Sequence, residues 1–121
     1  MIERLNDFPD NVTAFQCEGH VTRKDYDTVL VPAVEAALKT HDKIRLFYKI
    51  GRDFTGIDAA AAWEDFGVGM AHLMHWERIA VVTDVAWIAH TVHAFGFLMP
   101  GKVRVFALAD EPGARDWIKS A

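Results

Sequence analysis

Four consecutive apolar residues, Ile79-Ala80-Val81-Val82, constrain the fold more than any other feature of this sequence. The run shows no polar alternation, which is typical of a strand buried on both faces of a helix-covered parallel sheet. Helical patterns flank it, from Asp58 to about His75 and from Asp84 to about Met99. We therefore predict that Val81 and Val82 lie almost fully buried in a central strand.

The first forty residues predict a hairpin and a helix. Ile2–Leu5 and Val12–Gly19 are apolar stretches separated by Asn, Asp and Pro, which favour local bends. A helix opens at Thr22, where Asp25 gives a near capping box. Pro32 falls inside this helical pattern, so the helix kinks there or a second segment starts.

The remaining patterns complete an α/β order. Lys43–Ile50 alternates between apolar and polar residues, and Val103–Leu108 forms the last strand. Asp84 and Asp110 stand where the next helices begin, and Asp is a preferred helix cap. The predicted order is ββαβαβαβα over one domain, residues 1–121. Its sheet is mainly parallel, with an antiparallel hairpin strand at one edge.

Composition narrows the class of partner and compartment. The net charge is −4, and the basic residues are dispersed, so we expect no nucleic-acid partner. Cys17 is the sole cysteine, which excludes an intrachain disulfide and a cysteine-based metal cluster. The N-terminal residues lack the blocks of a signal peptide, and no uncharged apolar run reaches the ~20 residues that span a bilayer. We expect a cytoplasmic protein.

Several segments have the pattern of one known family. They are Gly19-His20-Val21-Thr22, Asp53-Phe54-Thr55-Gly56, Ala61-Ala62-Trp63-Glu64-Asp65, Arg78-Ile79-Ala80-Val81-Val82-Thr83-Asp84 with Trp87, Val103-Arg104-Val105-Phe106, and Ala114-Arg115-Asp116-Trp117-Ile118. The chain thereby resembles the SpoIIAA-like family, an offshoot of the STAS domain of anti-sigma-factor antagonists. The resemblance implies a STAS-like α/β fold and a bacterial, cytoplasmic protein. It also implies a distant likeness to CRAL-TRIO lipid-binding domains, and with it an apolar ligand or a membrane contact.

The resemblance also draws attention to Thr55. STAS antagonists carry a phosphorylatable Ser in an Asp-Ser-Ser-Gly-like turn, and the nearest equivalent here is Asp53-Phe54-Thr55-Gly56, with Phe and Thr in place of the two Ser residues. Thr55 is therefore the candidate phosphosite, and it should be exposed near a helix N-terminus if it is a switch. Asp53, Asp84 and Asp110 also follow predicted strands, at the edge where open α/β sheets bind ligands.

The stretch from Val85 to Met99 contains no Asp, Glu, Lys or Arg. One apolar stripe (Val85, Ile88, Ala89, Val92, Phe95, Met99) can pack on the sheet. An amphipathic helix in an α/β domain needs only one such face. A second apolar stripe, which the sheet cannot also cover, consists of Trp87, Thr91, Ala94 and Leu98. Together with Phe95 of the first stripe and the preceding helix, it supplies the candidate ligand-binding residues: Trp63, Phe66, Met70, Met74, Trp87, Thr91, Phe95 and Leu98. A neighbouring helix, a dimer interface or a ligand pocket can each cover this second stripe.

Signals for catalysis and metal binding are weak. His72/His75 and His90/His93 are i,i+3 pairs that could each face one metal, but no carboxylate joins either pair at ligand spacing. Dinucleotide-loop, P-loop and nucleophile-elbow motifs are absent. We expect no catalytic residue, no metal and no cofactor.

Two classes of function follow. The first is a non-enzymatic binding or regulatory module for a small apolar or lipid-like ligand, with membrane-surface contact or a homodimer as further possibilities. The second is a partner-switching regulator of the anti-sigma-antagonist type, controlled at Thr55. A hydrolase that uses His and Asp at the strand ends is a third class.

Overall fold

The structure is a computed structural model, and it describes residues 1–58, 75–96 and 101–120. Its strands are β1 (Ile2–Leu5), β2 (Val12–Cys17), β3 (His20–Val21), β4 (Ile44–Ile50), β5 (Gly56–Ile57), β6 (Trp76–Val82) and β7 (Lys102–Phe106). Five of them form one sheet in the order β1-β2-β4-β6-β7. β1 pairs antiparallel with β2, and the other three pairings are parallel. The predicted α/β class, with a mainly parallel sheet and an antiparallel hairpin at its edge, is confirmed.

The buried run lies in β6, between β4 and β7. Val81 is 5% exposed and Val82 is fully buried, which confirms the prediction made for them. Ile79 and Val81 pack on one face of the sheet, and Ala80 and Val82 pack on the other. A strand covered on both faces has no solvent side, and this explains why its sequence shows no polar alternation.

The helices divide between the two faces. They are α1 (Arg23–Asp25), a π-helical turn (Tyr26–Leu30), α2 (Val31–Thr40), α3 (Ala86–Gly96), a 3₁₀ turn (Leu108–Asp110) and α4 (Glu111–Lys119). Residues of α2 and α3 pack with Phe15 and Val81, whereas Ala114 and Ile118 of α4 pack with Phe47 on the opposite face. The predicted helix from Asp58 to about His75 lies almost wholly outside the described residues.

The first helix shows how the sequence handles Pro32. Thr22 and Asp25 form the reciprocal capping box expected from the sequence. The Val31 amide then donates to the Tyr26 carbonyl five residues earlier, which makes the turn wider than an α-helical one. A new segment, α2, begins at Val31, so Pro32 falls in a first turn, where no amide donor is needed. The sequence predicted a kink or a second segment at Pro32. A second helical element does begin at Val31, but Leu30 and Val31 both keep right-handed helical backbone, so the chain does not leave the helix between the two elements.

The sequence predicted that Asp84 and Asp110 cap helices, but in the described structure neither side chain makes a capping hydrogen bond. The Asp84 carboxylate accepts from the Leu108 amide at 3.0 Å and so ties the end of β6 to the turn after β7. The side-chain oxygen of Thr83 accepts instead from the Val85 amide, just before α3. Asp110 occupies the cap position of α4, but its side chain makes no capping bond. The preference of Asp for helix starts predicted where these helices begin. It could not predict which backbone amide each carboxylate would bind.

A small second sheet was not predicted. β3 and β5 pair in parallel, with His20 opposite Gly56 and Val21 opposite Ile57. Strands of two residues give no usable periodic signal, so this pair could not be read from the sequence. At the edges of the larger sheet, β1 and β7 both carry exposed charged side chains: Glu3, Arg4, Lys102 and Arg104.

Candidate functional site

Helix α3 is held to the sheet by one face. Val85, Ile88 and Val92 pack against the core cluster that contains Val81. A Cβ built on Gly96 would lie 3.4 Å from the Val103 side chain, so the end of the helix comes close to β7. The sheet-facing stripe predicted from the sequence is confirmed at these described positions.

The other face of α3 is open. Trp87 is 55% exposed, and Thr91 and Ala94 are also exposed. His90 and His93 lie at exposed positions beside them. No residue of Ala86–Gly96 is an Asp, Glu, Lys or Arg, so this exposed face carries no fixed charge. We call Trp87, Thr91 and Ala94 the outer stripe of α3.

The Thr91 hydroxyl is already engaged. It donates to the Trp87 carbonyl at 2.8 Å, a bond within the helix itself. Thr91 therefore presents its methyl group and an accepting oxygen, which makes the outer stripe less polar than its sequence suggests. Of the predicted ligand-binding residues, Trp87 and Thr91 share this face. Trp63, Phe66, Met70, Met74, Leu98 and the Phe95 side chain lie outside the described structure, and a pocket built from them stays a prediction.

Thr55 lies at the end of a loop that follows β4. Its amide donates to the Gly19 carbonyl at 2.9 Å, while the Gly19 amide donates to the Asp53 carbonyl at 3.1 Å. Gly19 has a φ of 58°, a backbone conformation that suits glycine. The loop is thus fixed to the end of β2, and Thr55 itself is exposed. Whether a helix begins beside it lies outside the described residues.

The small sheet of β3 and β5 carries a pair that the sequence analysis did not single out. His20 Nε2 lies 2.5 Å from Asp58 Oδ1, which joins the end regions of β3 and β5. Both side chains are about half exposed. Because β3 and β5 are too short to be predicted, no sequence pattern indicates that these two residues lie together.

The metal hypothesis finds no geometric support in the described part of the chain. Among residues 1–58, 75–96 and 101–120, no group of three or more His, Cys, Asp or Glu side chains could hold a metal ion. His75 instead lies 2.8 Å from the Asp42 carbonyl through Nδ1. His72 is not described, and Cys17 is buried in β2.

Comparison with known proteins decides the family. The family model described as SpoIIAA-like matches residues 12–119. The chain belongs to the SpoIIAA-like family. A crystal structure of an uncharacterized protein from the DUF3478 family, with a SpoIIAA-like fold, from Shewanella loihica PV-4, is similar to this chain with a TM-score of 0.73. The two sequences are 24% identical, and the match covers 98% of this chain and 92% of that one.

The fold of this SpoIIAA-like chain is that of a STAS-type module. At 24% identity, the Shewanella structure supports the fold alone. No curated protein matches the sequence. Within the described residues, no helix is both long enough and apolar enough to cross a membrane. The family therefore fixes the architecture, and the function has to be argued from the chemistry of the surface.

Proposed function

We propose that this SpoIIAA-like chain is a non-enzymatic binding module for a small apolar or lipid-like ligand, which contacts the outer stripe of α3. The observation that carries the proposal is the exposure of Trp87, 55% of whose surface is open to solvent. The opposite face of the same helix packs on the core, so folding of the described residues leaves this ring uncovered.

The energetics favour an apolar contact there. Covering a large apolar side chain contributes roughly 1.5–3 kcal/mol. The helix offers no charged group between Ala86 and Gly96 that would need to be desolvated. Trp also combines a large apolar ring with one N–H donor, which suits the boundary between an acyl chain and its polar end. A membrane surface or a second copy of the chain can use the same face.

The test compares two substitutions at one position. Trp87→Ala removes the ring, and Trp87→Phe keeps an apolar ring of smaller size. Binding of a fluorescent fatty acid should be saturable in the native protein, nearly retained in W87F, and weakened about tenfold or more in W87A. Native mass spectrometry of the purified protein would separate a retained small molecule from a dimer. Equal affinity in all three proteins would overturn the proposal.

A second candidate is a partner switch at Thr55. Two observations support it. Thr55 is exposed. The loop that carries it is held by three backbone hydrogen bonds, which the amides of Gly19, Phe54 and Thr55 donate. An exposed threonine on a loop held by backbone hydrogen bonds is a suitable phosphate acceptor, because a group added at the surface displaces no buried residue.

Intact-mass and peptide mass spectrometry of protein isolated from its own cells tests this candidate. We expect phosphate on Thr55 and none on Thr28, which is also exposed but whose hydroxyl donates to the Lys24 carbonyl within its helix. Thr55→Glu should leave the free energy of unfolding within about 0.5 kcal/mol of the native value. An unmodified Thr55 would rule the switch out.

A further inference from the structure

β7 is an outer strand of the five-stranded sheet, with β6 on its inner side. The backbone groups of successive residues in a strand point to alternate sides. The Phe106 carbonyl accepts from the Thr83 amide at 2.8 Å, so the backbone groups of Phe106, and of every second residue before it, face β6. The amides and carbonyls of Val103 and Val105 therefore point away from β6, and no strand in the described part of the chain pairs with them.

The side chains of β7 differ between its two faces. Lys102 and Arg104 are exposed, and they alternate along the strand so that they share the face of Phe106. Val103 and Val105 are partly buried on the other face, where they pack against the core that α3 covers. A strand added beside β7 would meet two cations on one face and two valines on the other.

The two cations have no carboxylate partner in the described structure. None of the ion pairs formed within residues 1–58, 75–96 and 101–120 includes Lys102 or Arg104. The guanidinium carbon of Arg104 instead lies 4.7 Å from the ring centre of Phe106 and 5.3 Å from that of Trp117. These ring contacts restrict the side chain without neutralising its charge, so Arg104 loses less freedom when it binds a carboxylate.

The opposite edge of the sheet does not have this one-sided charge. Glu3 and Arg4 are exposed neighbours on β1, one an acid and the other a base. An acidic strand would meet a like charge there, and like charges in opposed positions destabilise a sheet. A second copy of β7 would for the same reason be a poor partner for β7, because it brings the same two cations.

We propose that the outer edge of β7 binds an extended segment of a partner protein in which acidic and apolar residues alternate. The backbone of that segment pairs with Val103 and Val105, and its carboxylates face Lys102 and Arg104. In this mode of recognition, backbone hydrogen bonds supply affinity and the alternate side chains supply specificity. The two cations reject basic and uncharged strands, so the same residues select the partner and protect the edge. This edge is separate from the outer stripe of α3 and does not depend on the function proposed for that face.

The first experiment reverses the charges. The probe is a short capped peptide in which glutamate alternates with valine, and its binding is measured by fluorescence anisotropy. Lys102→Glu combined with Arg104→Glu should weaken this binding by about tenfold or more, because two charge-assisted contacts become repulsive. The same variant should gain binding of a peptide that alternates lysine with valine, and this gain shows that the variant is folded.

Two controls accompany the reversal. Lys24→Glu combined with Lys39→Glu changes the net charge equally at exposed helical positions and should bind the glutamate–valine peptide like the native protein. A peptide with the same residues in two blocks, all glutamates before all valines, should bind about tenfold more weakly or worse, because its side chains no longer match the two faces of β7.

The second experiment tests backbone pairing in the native protein. One version of the peptide carries N-methyl groups on every valine amide, and another carries them on every glutamate amide. Because alternate residues of a strand point to opposite sides, only one version should lose binding by about tenfold or more. Loss with methylated valines assigns an antiparallel strand, in which the residues that bond to Val103 and Val105 lie directly opposite them. Loss with methylated glutamates assigns a parallel strand.

Hydrogen exchange locates the contact. The amides of Val103 and Val105 should exchange rapidly in the free protein and slowly in the complex. No saturable binding of the glutamate–valine peptide, equal loss from both N-methylated versions or equal binding by the two double variants would overturn the proposal. A dimeric free protein that already protects these two amides would also overturn it, and would assign the edge to a second copy. Trp87→Ala should leave peptide binding unchanged, whether or not it affects fatty-acid binding.

Discussion

Lys49 Nζ, near the carboxyl end of β4, lies 2.7 Å from the carboxylate of Glu111, the first residue of α4. Glu111 also accepts a 2.8 Å bond from Arg115, and Arg115 bonds to Asp7 in the turn between β1 and β2. One chain of ion pairs therefore links α4 to the sheet and to the first hairpin. Lys49 and Glu111 are each about one-fifth exposed in their side chains, so water screens their attraction only in part.

The first prediction concerns acid stability. Burial alone would raise the pKa of Glu111, but the hydrogen bonds from Lys49 and Arg115 outweigh it and hold that pKa below its ordinary value of 4.5. A carboxyl with a lowered pKa in the folded state stabilises the fold above its unfolded pKa. That contribution is lost as the pH falls through the folded value.

Glu111→Gln should therefore cost about 1 kcal/mol at pH 7 and much less at pH 3, as measured by urea unfolding across this range. Asp116→Asn serves as the control, because Asp116 is an exposed acid on the same helix. A constant difference between the native protein and E111Q at every pH would contradict the ion-pair explanation.

The second prediction compares two glycines. Gly101→Ala would place a Cβ 2.4 Å from the Trp76 carbonyl, and backbone cannot move aside as easily as a flexible side chain can. We expect a loss of about 1–3 kcal/mol in the free energy of unfolding, the usual cost of overpacking. Gly113→Ala in α4 meets nothing within 4 Å and should be neutral or stabilising by up to about 1 kcal/mol, because alanine favours a helix. Similar effects from both changes would mean that the close approach at Gly101 is not rigid.

The third prediction tests the start of the first helix. The Thr22 hydroxyl accepts from the Asp25 amide at 3.3 Å, and the Asp25 carboxylate accepts from the Thr22 amide at 2.8 Å. Thr22→Ala should cost about 1 kcal/mol, measured by chemical denaturation, because it removes the capping oxygen. Thr28→Ala is the matched control, since the Thr28 hydroxyl bonds only to a helical carbonyl in the described structure. A smaller cost for T22A than for T28A would argue against the capping box.

The fourth prediction separates function from stability at Trp87. Trp87→Ala removes a large side chain that the described structure leaves 55% exposed, so the free energy of unfolding should change by no more than about 0.5–1 kcal/mol. Ile118→Ala removes a fully buried side chain of α4 and should cost about 2–5 kcal/mol. Thermal unfolding of both variants gives the comparison. A loss in W87A as large as that in I118A would show that the ring is packed in solution.

The sequence predicted the fold because its strongest patterns report burial. The apolar run at Ile79–Val82 and the alternation at Ile44–Ile50 each correspond to a strand that the structure contains. Pro32 correctly predicted an irregularity in the first helix, but the π-helical turn that precedes it was not predicted. Patterns of this kind report the burial of a short segment, and this was enough to predict the main strands and their order along the chain.

The candidate sites were less predictable because they depend on contacts between distant residues. The place of β7 at an edge, with Lys102 and Arg104 on one face, follows from the pairing of five strands, which no periodicity reveals. The Asp84 side chain was expected to cap a helix and instead bonds across to Leu108. The exposure of Trp87 agrees with the second apolar stripe of its helix, whereas the pocket expected around that stripe stays a prediction.

The charged side chains on β1 and β7 bear on colloidal behaviour. Each outer strand of a sheet presents unpaired backbone groups that can template another strand, and this is the route by which many sheet proteins aggregate. An uncharged strand that adds to either edge of this sheet has to approach charged side chains, which opposes the addition. These are Lys102 and Arg104 on β7, and Glu3 and Arg4 on β1. Replacing Lys102 and Arg104 together with valine would remove that protection from β7. Light scattering of a concentrated solution should then detect growing fibrous or amorphous particles well before the fold itself is lost.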